Sequence, residues 1–403
     1  MDARLFAFLL LGLLAACAAP AGDPAKDTAG ETAESCVPPG GWVDPAGPAP
    51  LSYAALIERL SKRPVVLLGE GHAWFDHHRW QLHTVAALHG RNPNIVLAFE
   101  SFPRRVQPVL DRWTGGELSD QQFLKETGWN EVWRFDPALY MPLFDFARLR
   151  HIPMVAMNVD RSLIAKVGRG GWQAVPAGER QGVGDPAPAG TNYLNSLAEV
   201  YGQHRTGQEA KAADLEDPDF LKFVDVQLTW DRAMAEAILQ AANAPEGPLV
   251  IGIVGMGHLQ YGRGIPHQLK DLGISDAAVL LPWDRERGCA ELADESGTAV
   301  ADALFGIPSA ATRNEPKKPL LGVRIQSTET GGLRIIEVVE KSVAEAAGLA
   351  KDDLIVEAAG TAVAKPGELI AVVHNQAPGT WLPLRIRRGG EDLEVIAKFP
   401  PLK

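Results

Sequence analysis

Five runs of uninterrupted apolar residues constrain this chain more than any other feature: VVLL at 65–68, IVLAF at 95–99, IPMVAM at 152–157, LVIGIV at 249–254 and AAVLL at 277–281. A strand with one wet face alternates apolar and polar residues, whereas a strand apolar at every position has to be covered on both sides. Between the runs lie stretches with helical apolar spacing, at 76–89, 140–150 and 220–242. Strands separated by helices predict an α/β domain over 51–290, a mostly parallel sheet with helices on both faces. Residues 168–218, rich in Gly, Pro and Ala, read as a helical or irregular insertion.

What flanks this domain sets the compartment. The chain starts MDAR, continues LFAFLLLGLLAA and reaches Cys17; the apolar part is too short to span a bilayer, so residues 1–16 read as a secretory signal. Leu14-Ala15-Ala16-Cys17 resembles a lipobox, which makes Cys17 the expected site of lipidation and the lipid the expected membrane anchor. Ala18, where an Asp would signal inner-membrane retention, points to an outer-membrane lipoprotein facing the periplasm. Residues 17–50 read as a flexible tether. Cys36 and Cys289 then form an even pair in an oxidising compartment and invite a disulfide, with two unrelated buried thiols as the alternative. The net charge of −11 argues against a nucleic-acid-binding surface, which needs clustered cations.

A second composition change falls at GIPSAATRNEPKKP, 306–319. Residues 291–318 read as a linker, and 319–400 as a separate unit with short strands (LLGVRI, LRIIEVV, LPLRIRR, LEVIAKF) and two short helices, a small partly open β-barrel. This unit resembles a bacterial PDZ domain, with Leu321, Gly322 and Val323 in the peptide-carboxylate loop and AAGLAKDDLIVEAAG in the position of the family's central stretch. It departs from the family pattern at Asp352, where Gly is common, and at Ala359, where Asn is common. The resemblance implies capture of a partner protein's C-terminal tail.

Two strands of the first domain end alike. VVLL runs into Gly69-Glu70-Gly71-His72, and VIGIV into Gly255-Met256-Gly257-His258, so G-x-G-H occurs twice behind an apolar strand. Ligands of open parallel sheets bind at the carboxyl ends of the strands. Glu100 ends a third strand; Asn158 and Arg161 follow a fourth. A parallel sheet therefore brings Glu70, His72, Glu100, Asn158, Arg161 and His258 to one edge. Imidazoles and carboxylates together hold a divalent metal, with His72, His258 and Glu70 as the ligand set, or they form acid–base pairs on Glu70, His72, Glu100 and His258. His77 shares a helical face with Gln81 and is expected to face the pocket, His78 to be half buried, and His83 to face water. Tyr261, three residues past His258, reads either as a phenolate ligand of ferric iron or as a packing tyrosine.

The combination LLGEGH-x4-HH-x2-Q, LAFES with FPRRVQPVLDRW, FVDVQLTWDRAMAEAI and VGMGHLQYGRGIPHQL resembles the ChaN-like haem-binding lipoprotein family, within the broader Tiki/TraB and erythromycin-esterase-like group. The resemblance implies haem as cofactor, bound through Tyr261 or His258 with His72, His77 and Arg161 nearby. It further implies a homodimer and a place in haem or iron uptake. The wider group implies the alternative, a metal-dependent peptidase or esterase using the paired motifs and their glutamates.

Overall fold

The computed structural model describes residues 36–206, 213–285, 287–308, 319–329 and 331–401; the signal segment and Cys17 lie outside these residues. One sheet runs through the first domain, built from β1 (Trp42–Asp44), β2 (Ala49–Pro50), β3 (Val65–Glu70), β4 (Ile95–Pro103), β5 (Met154–Asn158), β6 (Leu249–Gly255), β7 (Ala277–Asp284) and β8 (Ala303–Ile307) in the order β2-β1-β8-β7-β3-β6-β4-β5. Pairing is parallel from β8 across to β5 and antiparallel where β1 joins β8 and β2. The helices are α1 (Tyr53–Leu60), α2 (Phe75–Arg91), α3 (Gln107–Thr114), α4 (Asp120–Thr127), α5 (Trp129–Val132), α6 (Pro137–Arg150), α7 (Arg161–Gly170), α8 (Thr191–Thr206), α9 (Pro218–Ala242) and α10 (Ile265–Asp271).

The apolar runs serve two cores. Val66 and Leu68 of β3 pack with Phe99 and Ile253 under α2, α3 and α6. Val65 and Leu67, their neighbours in sequence, point the other way and pack with Val254 under α9 and α10. Period-two side-chain alternation thus feeds both layers from one strand, and every residue of β3 is buried. Each fully buried Leu or Ile adds roughly 1.5–3 kcal/mol, so the central strands form the least deformable part of the domain.

Two boundaries differ from expectation. Strand β1 lies inside the segment read as tether, and β8 inside the segment read as linker, because both are short and flanked by Pro and Gly. They nonetheless pair with each other, Trp42 opposite Phe305. Cys36 and Cys289 are joined by a disulfide with Cα atoms 5.6 Å apart, which ties the start of the domain to the connection between β7 and β8. The insertion carries 3-10 turns at Trp172–Ala174 and Ala177–Glu179, followed by α8.

The C-terminal unit has its own core. Strands β9 (Val323–Ser327), β10 (Leu333–Val338), β11 (Leu354–Ala358), β12 (Thr361–Ala362), β13 (Trp381–Arg388) and β14 (Glu391–Lys398) form an antiparallel sheet with α11 (Val343–Ala346) and α12 (Pro366–His374). β9 is an edge strand paired with β10, and α12 packs beside it. Gly322 has φ +84 and a Cβ there would meet Ser342, so the loop with Leu321 and Val323 requires glycine. Asp352 and Ala359, the two departures from the PDZ pattern, both stand at positive φ, 70° and 50°, in the region that Gly and Asn adopt more readily.

Candidate functional site

Strands β3 and β6 are neighbours with Glu70 opposite Gly255, so the two G-x-G-H turns leave the sheet side by side. Gly255 is required by close approach: a Cβ there would fall 2.7 Å from Cε1 of His72. The first turn's imidazole lies over the second turn's glycine. Between the two rings stands Glu100, from the end of β4. Its Oε2 accepts the Gly255 N–H at 2.6 Å, and its Oε1 lies 4.0 Å from His72 Nε2 and 3.8 Å from His258 Nε2.

Each imidazole is backed by a buried carboxylate. His72 Nδ1 bonds Glu70 Oε1 at 2.9 Å, and His258 Nδ1 bonds Asp231 Oδ1 of α9 at 2.6 Å. Each carboxylate also accepts a tyrosine hydroxyl, Tyr140 on Glu70 and Tyr193 on Asp231 at 2.8 Å. Both Nε2 atoms are left turned toward Glu100. For His258, burial opposes the charged form, but Asp231 and then Glu100 outweigh it and the ring is pushed up to about 9. His72 is also raised: burial works against it, and Glu70 and Glu100 prevail. Burial works to raise Glu70, yet its bond with His72 and the neighbouring His78 and Tyr140 hold it below the usual carboxylate range. Burial and Glu70 together push the Tyr140 hydroxyl far up, so Tyr140 stays a donor.

A cleft of about 620 Å³ opens over this group, walled by Trp133, Phe135 and Trp230 with the exposed Arg105 and Arg161 at its mouth. Trp133 stands edge-on to His72 at 4.7 Å and Trp230 edge-on to His258 at 6.4 Å. The structure therefore brings His72, Glu100, Asn158, Arg161 and His258 to one cleft, with the Asn158 amide donating to the Glu100 carbonyl at 3.0 Å.

Several expectations are corrected. Glu70 does not reach the cleft, because His72, His78 and Tyr140 surround its carboxylate and it is 3% exposed; it positions His72 and is no base for water. His77 is 1% exposed: Nδ1 accepts the Gly71 N–H at 2.8 Å and Nε2 donates to Asp284 at 3.2 Å, so it fastens the first turn to the end of β7. Tyr261 lies outside the cleft, lines a different pocket with Arg263 and Asp294, and donates to the Glu291 carbonyl. His78 is fully buried, with Nε2 donating to the His72 carbonyl, and His83 is exposed. For the metal set, no group of three or more His, Cys, Asp or Glu among the described residues is arranged to hold an ion; Glu70 is engaged on the far side of His72.

Asp231, Tyr140 and Tyr193 escaped the sequence reading. A signal existed for Asp231: it is an acid on the buried face of α9, 0% exposed among Leu228, Met234 and Ala235.

The fold and cleft define an α/β ligand-binding protein with an appended peptide-binding domain. The family model for haem-binding uptake proteins, Tiki superfamily, ChaN, matches residues 56–269, and that for PDZ domains matches 319–398. A solved structure described as cofacial heme binding to ChaN of Campylobacter jejuni is 20% identical, with TM-score 0.50, covering 66% of this chain and 95% of that one. The HtrA3 PDZ domain bound to a phage-derived ligand is 27% identical over 20% of this chain and 84% of its own, with TM-score 0.19. No curated protein matches significantly. The chain belongs to the ChaN family of haem-binding proteins within the Tiki superfamily and carries a C-terminal PDZ domain.

Proposed function

We propose that the cleft at the strand ends is the haem site, and that the mature chain works as a lipoprotein of the outer membrane, anchored through Cys17, facing the periplasm and serving haem or iron uptake. The observation that carries the reading is the 2.6 Å bond between Asp231 and His258 Nδ1, which leaves Nε2 turned toward an aromatic-walled cleft. A carboxylate on the far nitrogen fixes the tautomer and raises an imidazole's basicity as a ligand. His258 Nε2, with His72 Nε2 as the second candidate, would hold the iron, and Trp133, Phe135 and Trp230 would cover the ring and exclude water. Arg161, whose guanidinium bonds only the Val132 carbonyl at 3.2 Å among the described residues, suits a propionate. Bound haem supplies the iron chemistry; the chain binds, orients and shields it.

A protonated imidazole cannot ligate. With His258 pushed up to about 9, haemin affinity should rise as pH climbs toward that value. Titration of the mature protein with haemin, followed at the Soret band, tests the site: His258→Ala is expected to weaken binding at least tenfold. No Soret response, or wild-type affinity in both His258→Ala and His72→Ala, would overturn the reading. The homodimer belongs to the same proposal, and haemin-loaded protein sedimenting as a monomer would remove it. The PDZ unit is proposed to recruit a partner's C-terminal tail along the β9 edge by strand addition; a peptide array showing no preference for free C-termini would remove that part.

The Asp231–His258 pair beside Glu100 also supports a second reading, hydrolysis by acid–base chemistry on water. Glu100 is the carboxylate within reach, so esterase or peptidase turnover unchanged in Glu100→Gln would eliminate it.

A further inference from the structure

The wall of the cleft has a second side. Segment 129–137 gives Val132, Trp133 and Phe135 to the haem-site cleft. Asn130, Arg134 and Pro137 of the same segment face another cleft, of about 630 Å³, whose opposite wall is α12 of the PDZ domain. The segment is anchored at its start by Trp129, 1% exposed against Phe102 and Phe144, with its indole N–H on the Phe135 carbonyl at 2.7 Å. Beyond that anchor it is held from both sides: Trp133 and Phe135 stand against His72 and Arg161 bonds the Val132 carbonyl on the cleft side, and α12 meets it on the PDZ side. Lys365 Nζ pairs with Glu131 at 2.7 Å, and the Asn130 amide reaches the Gly367 carbonyl at 3.5 Å. A Cβ at Gly367 would come within 3.1 Å of Asn130 Cβ, so helix and wall approach closely there.

Helix α12 is also the element beside the β9 edge. One flank therefore borders the strand to which a peptide would add, and the flank carrying Gly367, Ile370 and His374 borders the cleft wall. The contact is light: Lys365 and Glu131 are 63% and 48% exposed, and exposed pairs of this kind contribute little. A weak contact is readily made and undone, as a switchable one needs to be.

We propose that α12 is a brace for the cleft wall, and that occupancy of the haem cleft and of the PDZ groove are linked through its docking on 129–137. This inference rests on the cleft being the haem site. Linkage is reciprocal and bounded by the docking free energy, so the effect on haem affinity should be about fivefold, near the lower end of known couplings. Neither Lys365 nor Gly367 lines the haem cleft, although Lys365 pairs with Glu131, which does; Gly367, which meets Asn130, probes the docking without touching a cleft-lining charge.

The test uses the full mature chain, haemin and two variants. Gly367→Leu drives a side chain into Asn130, and Lys365→Glu reverses the charge on a residue whose side chain is 63% exposed. Both are expected to weaken haemin binding about fivefold and to speed amide hydrogen exchange over 129–137, with the melting of the PDZ unit unchanged in Lys365→Glu. Wild-type haemin affinity in both variants overturns the linkage and leaves the haem reading standing. No haemin binding by the wild type removes the haem reading and this linkage with it.

Discussion

The two G-x-G-H turns are alike in sequence and unlike in how they are held. The first carries its own carboxylate, Glu70, inside the motif, and packs it among His72, His78 and Tyr140 with His77 fastening the turn to Asp284. The second has Met256 in that place and takes its carboxylate, Asp231, from a helix 27 residues away. Both imidazoles nevertheless present Nε2 to Glu100 at nearly equal distance. The motif places an imidazole at a strand end; the partner that orients the ring comes from wherever packing supplies a buried acid.

The largest effect should separate the turns by their acids. Glu70→Ala leaves buried polar partners uncompensated and should cost about 3–5 kcal/mol by chemical denaturation; a loss under about 1 kcal/mol would break the view that the first turn is built around its own carboxylate. Next comes the proton on the second turn. Against burial, Asp231 and Glu100 push His258 from its ordinary 6.5 up to about 9 in the folded chain, so its stabilisation is complete below pH 6.5 and lost as pH rises through 9, an amount on the order of 3 kcal/mol. Denaturation midpoints should fall across that window, and Asp231→Asn should flatten the fall. Gly255→Ala forces the His72 ring aside and should cost about 1–3 kcal/mol, with a matching loss of haemin affinity. Gly257 has open space around it, so Gly257→Ala should stay within about 0.5 kcal/mol. Equal costs for these two substitutions would show that close approach of the rings is not what the glycines serve.

The central strands were legible because a run apolar on both faces admits few alternatives, and His72, Glu100 and His258 were legible because parallel strands deliver their ends to one edge. β1 and β8 were not, since three to five residues beside Pro and Gly carry too little pattern. The backing residues failed for a different reason. Asp231, Tyr140 and Tyr193 sit on helices whose approach to the strand ends is decided by tertiary packing. His77 was misread because helical spacing defines a face without saying what covers it; here the end of β7 does. Tyr261 follows His258 closely in sequence, yet the chain at Tyr261 has φ +58 and its hydroxyl reaches the Glu291 carbonyl instead of the cleft.

The Cys36–Cys289 bond makes the first domain a covalent ring of 253 residues' separation with the PDZ unit as its tail. One backbone cut inside that ring yields two fragments that cannot diffuse apart until a reductant opens the bond. The closure also removes on the order of 5 kcal/mol of chain entropy from the unfolded state, and it can form only after nearly the whole α/β domain has been made, because its two cysteines lie 253 residues apart.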